Sequence, residues 1–136
     1  MLSVNPHLSF NGNAEAAFTF YKSIFGGAFE SLMRYKEMPG GCKADPAAAE
    51  KVMHVSLPVG NSLLMGADVI SSMRSFTPGD TLTLSLQAAN EDEARPLFEK
   101  LSRGGQVIIP LDTAFWGGYF GALTDPYGIQ WMITCA

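Results

Sequence analysis

The sequence predicts an α+β protein in which two tandem β-α-β-β-β units form a cupped eight-stranded sheet. Two observations predict it. Ala17, Phe20, Tyr21 and Ile24 recur in the same order as Ala94, Leu97, Phe98 and Leu101, each set lying between an alternating run and a Gly-Gly pair. The runs before them match as well, Leu8-Ser9-Phe10 against Leu84-Ser85-Leu86. With 136 residues and 47% hydrophobic content, the chain can bury about two-thirds of its unfolded surface. A single domain over 1–136 is expected, with a first unit at 1–67 and a second at 80–136. A cup of this kind has a concave face suited to a small molecule.

Residues 4–10 alternate as a strand once the kink at Pro6 is allowed for, placing Val4, Leu8 and Phe10 on one side and Asn5, His7 and Ser9 on the other. Asn11-Gly12-Asn13 turns the chain, and Asn13 is the expected cap of the helix that follows. That helix carries Ala14, Ala17, Phe18, Tyr21, Ile24 and Phe25 on a stripe of helical period and stops at Gly26-Gly27. Residues 28–36 read as a second strand. Residues 37–50 read as a loop rich in Gly, Pro and Ala, the segment expected to move most. Val52 to Val59 and Ser62 to Ala67 flank Gly60-Asn61, a hairpin signal because both residue types tolerate positive φ. A polar connector over 68–80 follows.

The second unit repeats the plan with a strand at 81–88, a helix from Asn90 or Asp92, Gly104-Gly105, a short strand at 106–109 and a closing hairpin. Pro96 favours the Asp92 start, since a later start leaves fewer helical hydrogen bonds for it to delete. The hairpin runs from Tyr119 to Leu123 and from Ile129 to Thr134 through Asp125-Pro126-Tyr127-Gly128. Met65 aligns with Met132, so the second unit lacks most of the 37–50 loop.

Charge and motif content exclude several classes. There are 9 Lys and Arg against 13 Asp and Glu, a net charge of −4, which offers no basic stripe for nucleic acid. No run approaches the ~18 apolar residues of a membrane span, and no leader pattern opens the chain, so a cytoplasmic location is expected. Cys42 and Cys135 lack metal-type spacing and are read as reduced, incidental thiols. Glu91, Asp92 and Glu93 sit at a helix start and Asp125 in a turn, where carboxylates serve structure. Glu15, Glu30, Glu37 and Glu50 lack the spacing of an acid–base pair. No Gly-x-Ser-x-Gly, phosphate-loop or dinucleotide fingerprint is present.

Several stretches together resemble the vicinal oxygen chelate superfamily, which includes glyoxalase I, extradiol dioxygenases and the bleomycin and fosfomycin resistance proteins, and within it the PhnB-like branch. They are Phe10-Asn11-Gly12-Asn13, Tyr21 to Gly27, Met53 to Leu57, Leu64-Met65-Gly66, Phe115-Trp116-Gly117 and the run from Tyr119 to Trp131. The resemblance covers nearly the whole chain and implies the glyoxalase/bleomycin resistance fold. It also implies a divalent ion in catalytic members, held by four ligands, one from the first and one from the last strand of each unit. Carried over, those places fall near Asn5 or His7, at Met65, near Thr81 or Thr83, and at Met132. Only His7 is a good ligand type, since a thioether is soft and a threonine hydroxyl weak. The family metal is therefore expected to be missing, and no metal or cofactor is assigned.

What remains is a pocket lining. Met65 and Met132 turn toward the cup, where flexible thioethers suit a permissive apolar site. Trp116 and Tyr119 supply a stacking wall, while Trp131 turns toward the helix layer. The expected ligand-binding set is His7, Asn5, His54, Met65, Thr83, Trp116, Tyr119 and Met132, with Thr134 beside them. The expected function is metal-independent binding of a small molecule, by a homodimer whose partner chains help close each cup. Two rivals stand beside it: a metal-dependent glyoxalase-like lyase or isomerase, or a dioxygenase, rebuilt around His7 and His54; and a drug-sequestering protein of the bleomycin-resistance type, which needs an acidic cleft. Whether the chain is an enzyme stays open. The methyltransferase label sometimes given to the branch finds no nucleoside-binding Gly-rich loop here.

Overall fold

The computed structural model describes residues 2–38, 46–70 and 75–136, and the chain divides into two compact units, 1–77 and 78–136. In the first, β1 (His7–Phe10), α1 (Ala14–Phe25), β2 (Ser31–Arg34), β3 (Val52–Val59) and β4 (Ser62–Asp68) follow one another. They build a sheet of order β1-β4-β3-β2, with β1 parallel to β4 and the other pairs antiparallel. The second unit contains β5 (Leu84–Gln87), α2 (Glu91–Ser102), β6 (Gln106–Thr113), β7 (Tyr119–Thr124) and β8 (Gln130–Cys135), in the order β5-β8-β7-β6. Its parallel pair is β5 with β8. Element order and sheet order are thus the same in both units.

Each helix covers one face of its own sheet. Ala14, Ala17, Phe18 and Tyr21 are buried on α1, with Phe18 edge-on to Phe10 at 6.0 Å and to Tyr21 at 5.5 Å between centroids. Gly66 of β4 lets that helix approach. A Cβ there would stand 2.5 Å from the Phe18 ring and 3.0 Å from the Leu8 carbonyl oxygen. In the second unit Gly121 of β7 has the same relation to Phe98 of α2, 2.6 Å from a built Cβ. Trp131 is buried beneath α2, as its alternation requires, and its indole N–H donates to Asp125 at 2.9 Å.

Several boundaries differ from the sequence reading, each for a local reason. β1 begins only after Pro6, whose carbonyl accepts the Met65 N–H, and Val4 is fully exposed rather than packed. β2 is confined to four residues because Tyr35–Glu37 form a 3₁₀ turn, in which the Glu37 carboxylate accepts the Arg34 N–H at 2.6 Å. β5 is likewise four residues. β6 runs through Pro110 to Thr113 instead of ending at 109. It is an edge strand with irregular register, a place where a residue without an N–H is tolerated.

The helix starts also need correcting. Asn13 occupies the cap position of α1 but makes no side-chain cap bond. Asp68, buried at the end of β4, caps the helix instead: its Oδ1 accepts the N–H groups of Gly12 (3.0 Å) and Ala14 (2.9 Å), and its Oδ2 accepts that of Val52 (2.9 Å). In α2, Asn90 accepts the Glu93 N–H at 3.0 Å. The helix therefore begins at Glu91, one residue before the expected Asp92, and Pro96 lies inside it. Both turns expected at Gly60-Asn61 and Asp125-Pro126-Tyr127-Gly128 are present, with Gly60 at φ 57° and Gly128 at φ 87°. In the latter turn the Gly128 N–H donates to the Asp125 carbonyl at 3.0 Å.

Of the 37–50 segment, residues 39–45 lie outside the described residues, Cys42 among them. Its far end is anchored, since Ala48 is buried with Tyr35 and Ile70, and Met38 and Met53 pack on that cluster. Cys135 is a free, buried thiol. Among the described residues no helix is long and apolar enough to cross a membrane.

Candidate functional site

Strand alternation gives each sheet a second face, turned away from its helix. In the first unit that face carries His7 opposite Met65, Met65 opposite Ser56, Ser56 opposite Ser31 and His54 opposite Met33. The hydroxyls of Ser31 and Ser56 are 3.0 Å apart. The rings of His7 and His54 lie 6.4 Å apart, their planes inclined by 28°. His7 and Met33 are exposed, while His54 and Met65 are half-buried.

In the second unit the same alternation presents Ser85 and Gln87 from β5, Met132 and Thr134 from β8, and Phe120 and Ala122 from β7. Trp116, in the turn before β7, stands edge-on to Phe120 at 5.9 Å and to Phe115 at 4.9 Å. Gln87, Trp116, Thr134 and the backbone of Gly117-Gly118 line an open depression of about 460 Å³. Thr83 precedes β5 and donates its hydroxyl to the Gln130 amide oxygen at 3.3 Å, and the Gln130 amide donates to Asp80 at 3.1 Å. On these faces the central strands β3, β4, β7 and β8 place Ser, Leu, Met, Ala, Phe, Thr, Gln, Pro and His54, with no carboxylate, Lys or Arg.

The sequence-derived residues therefore separate into groups. His7, His54 and Met65 come together on the helix-free face of the first unit. Met132, Thr134 and Trp116 belong to that of the second unit, with Thr83 at its margin. Asn5 is held at a strand end, its side-chain oxygen accepting the Leu63 N–H at 3.3 Å. Tyr119 lies on the opposite, helix-covered face. It shares that alternation with Gly121 and Leu123, and its hydroxyl bonds to Glu91 at the start of α2. That bond raises the Tyr119 pKa, while Glu91 is held below its ordinary range first by Arg95 and then by Tyr119. Ser85, Gln87, Phe120 and Gln130 were not among the expected residues. They share the alternation that exposes Met132 and Thr134, and this was the signal available for them.

The register also corrects the repeat alignment. Met65 pairs with His7, but Met132 pairs with Ser85 and Thr83 falls opposite Gln130. At the family metal positions the first unit therefore holds His7 and Met65, and the second Met132 and a threonine hydroxyl out of step with it. In neither unit do these donors suit a hard or borderline divalent ion. Among the described residues, no three His, Cys, Asp or Glu side chains come together in metal-binding range.

A family model described as 3-demethylubiquinone-9 3-methyltransferase matches residues 3–134. The chain is similar in structure to protein PA1353 from Pseudomonas aeruginosa, with 33% identity and a TM-score of 0.88 over 99% of this chain and 98% of that one. It is also similar to the PhnB protein from Bacillus cereus, with 29% identity and a TM-score of 0.78 over 99% and 100% of the two chains. A glyoxalase/bleomycin resistance protein/dioxygenase family enzyme from Burkholderia phytofirmans PsJN shares the fold at 16% identity, with a TM-score of 0.67 over 96% of this chain and 95% of that one.

Proposed function

The chain belongs to the family of the 3-demethylubiquinone-9 3-methyltransferase model, within the PhnB-like branch of the vicinal oxygen chelate superfamily, and from that premise we propose that it binds an uncharged small organic molecule without the divalent ion of its catalytic relatives. The observation that carries the reading is the lining of the helix-free faces. It combines thioether, hydroxyl, amide and aromatic groups with no carboxylate, Lys or Arg on the central strands. Such a surface stabilises apolar contact and a few hydrogen bonds, and offers little to a charged organic ligand. Trp116 is the stacking group, with Thr134 and Gln87 as hydrogen-bonding partners beside it. Met132 completes the proposed lining of the second unit, and His7, His54 and Met65 are proposed as a lining of their own on the helix-free face of the first. Asn5 is proposed to contribute at the margin of the first-unit lining and Thr83 at that of the second, while Tyr119, on the helix-covered face, is not part of either.

The two tryptophans supply the test. Trp116 is 58% exposed and Trp131 is 3% exposed, so an uncharged ligand selected by thermal shift should quench Trp116 emission, and Trp116→Phe should remove the response. A ligand that stabilises the chain while leaving Trp116 emission unchanged would overturn the assignment. So would a stoichiometric Ni, Zn or Mn ion after metal titration. No heat is expected on adding S-adenosylmethionine in a calorimeter.

A second reading, glyoxalase-like or dioxygenase chemistry at His7, draws on the closeness of the His7 and His54 rings. It requires turnover of a methylglyoxal hemithioacetal, or of a catechol with oxygen, that is lost in His7→Ala. The drug-sequestering alternative calls for acidic groups that the central strands do not carry. We also propose a homodimer, supported by consecutive exposed apolar side chains on the edge strand β6: Val107 at 45%, Ile108 at 53% and Ile109 at 44%. Ultracentrifugation should show twice the chain mass for the parent protein and the chain mass for Ile108→Glu.

A further inference from the structure

The helix-free face of the first sheet carries an arrangement that the organic-ligand reading uses only in part. β1 and β3 are separated by β4, which puts their backbones about 9–10 Å apart. The imidazoles of His7 and His54 nevertheless approach to 6.4 Å between centroids, so the rings lean toward each other across β4. The residue of β4 in register with His7 is Met65. Beyond His54, its register partner on β2 is Met33. Opposed side chains on one sheet face have Cβ atoms about 4.5–5.5 Å apart. Two histidine–methionine pairs are therefore gathered on one small patch, inside a single unit.

The spacing and the donor chemistry agree on one kind of ligand. The two rings lie with planes inclined by 28° and centroids 6.4 Å apart, near enough for side-chain rotation to bring one nitrogen of each to a single ion about 2.0 Å away. Thioether sulfur discriminates against Zn, Ni, Mn and Mg and favours soft monovalent ions, and the patch has no carboxylate on its central strands to reverse the preference. We propose that His7 and His54, with Met65 and Met33 as flanking thioethers, bind a soft monovalent cation of the copper(I) class. His54 and Met33 lie outside the four positions used for the family's divalent ion. The proposal does not rest on the organic-ligand reading.

Silver(I), which does not change oxidation state in water, is the probe. The full chain carrying Cys42→Ser is titrated with silver nitrate in chloride-free buffer. Retained metal is measured by elemental analysis, and the histidine ring and methionine methyl resonances by NMR. A single retained equivalent that shifts the His7, His54, Met65 and Met33 signals is the expected result. His7→Gln and Met65→Leu, conservative changes at an exposed and a half-buried position, should each weaken silver binding by about tenfold or more. Zinc at the same concentration should bind at least about tenfold more weakly than silver. The proposal is overturned if no silver is retained, if the retained ion leaves the Met65 and Met33 methyls unmoved, or if binding is unchanged in the His7→Gln, His54→Gln double variant.

Discussion

Asp68 accepts three backbone N–H groups from two separate segments while only 2% exposed, and the Asp68 carbonyl accepts the Tyr35 hydroxyl at 2.7 Å. Truncating such a carboxylate strands its donors in a dry environment, so Asp68→Ala should lower the unfolding free energy by about 3 kcal/mol in urea denaturation. At Tyr119, the Glu91 carboxylate disfavours the phenolate, raising the pKa above the ordinary 10.0. A group whose folded pKa is raised stabilises the fold below its unfolded value and loses that contribution as pH rises through the folded one. In an ultraviolet pH titration the Tyr119 transition should therefore move to lower pH in Glu91→Gln. The facing of Met65, Met132 and Trp131 was legible from alternation alone. Asp68 was not, because its partners stand 16, 54 and 56 residues away, and nothing in its immediate neighbours announces a cap.

Two asparagines at equivalent places illustrate what an element needs from its own residues. The Asn90 side-chain oxygen accepts the Glu93 N–H of its helix, and Asn13 makes no such bond. Asn90→Ala should cost about 1 kcal/mol and Asn13→Ala only a few tenths, measured as shifts in the denaturation midpoint. Gly66→Ala should cost about 1–3 kcal/mol, since the added carbon meets the buried Phe18 ring. The hairpin turns and helix stripes were readable because their signals are local: Gly at positive φ, and apolar residues at helical spacing. Strand ends were less so. β1 waits for the end of Pro6, β2 yields to a carboxylate three residues on, and β6 continues through Pro110 because edge strands forgive a missing donor.

At the scale of the molecule, the shared element order and sheet order of the units follow from a pattern repeated in the sequence. The exact equivalence of site positions did not follow, since a parallel strand can shift by two residues without changing which face its side chains occupy. That is how Met132 came to face Ser85 while Met65 faces His7. The difference in capping bears on folding order. α2 carries its cap next door, so its first turn can nucleate as soon as it is made; α1 must wait for a carboxylate encoded 54 residues later than Ala14. On the ribosome the earlier helix should mature only after the β3–β4 hairpin emerges, and a synthetic peptide spanning 88–104 should be more helical by circular dichroism than one spanning 11–27.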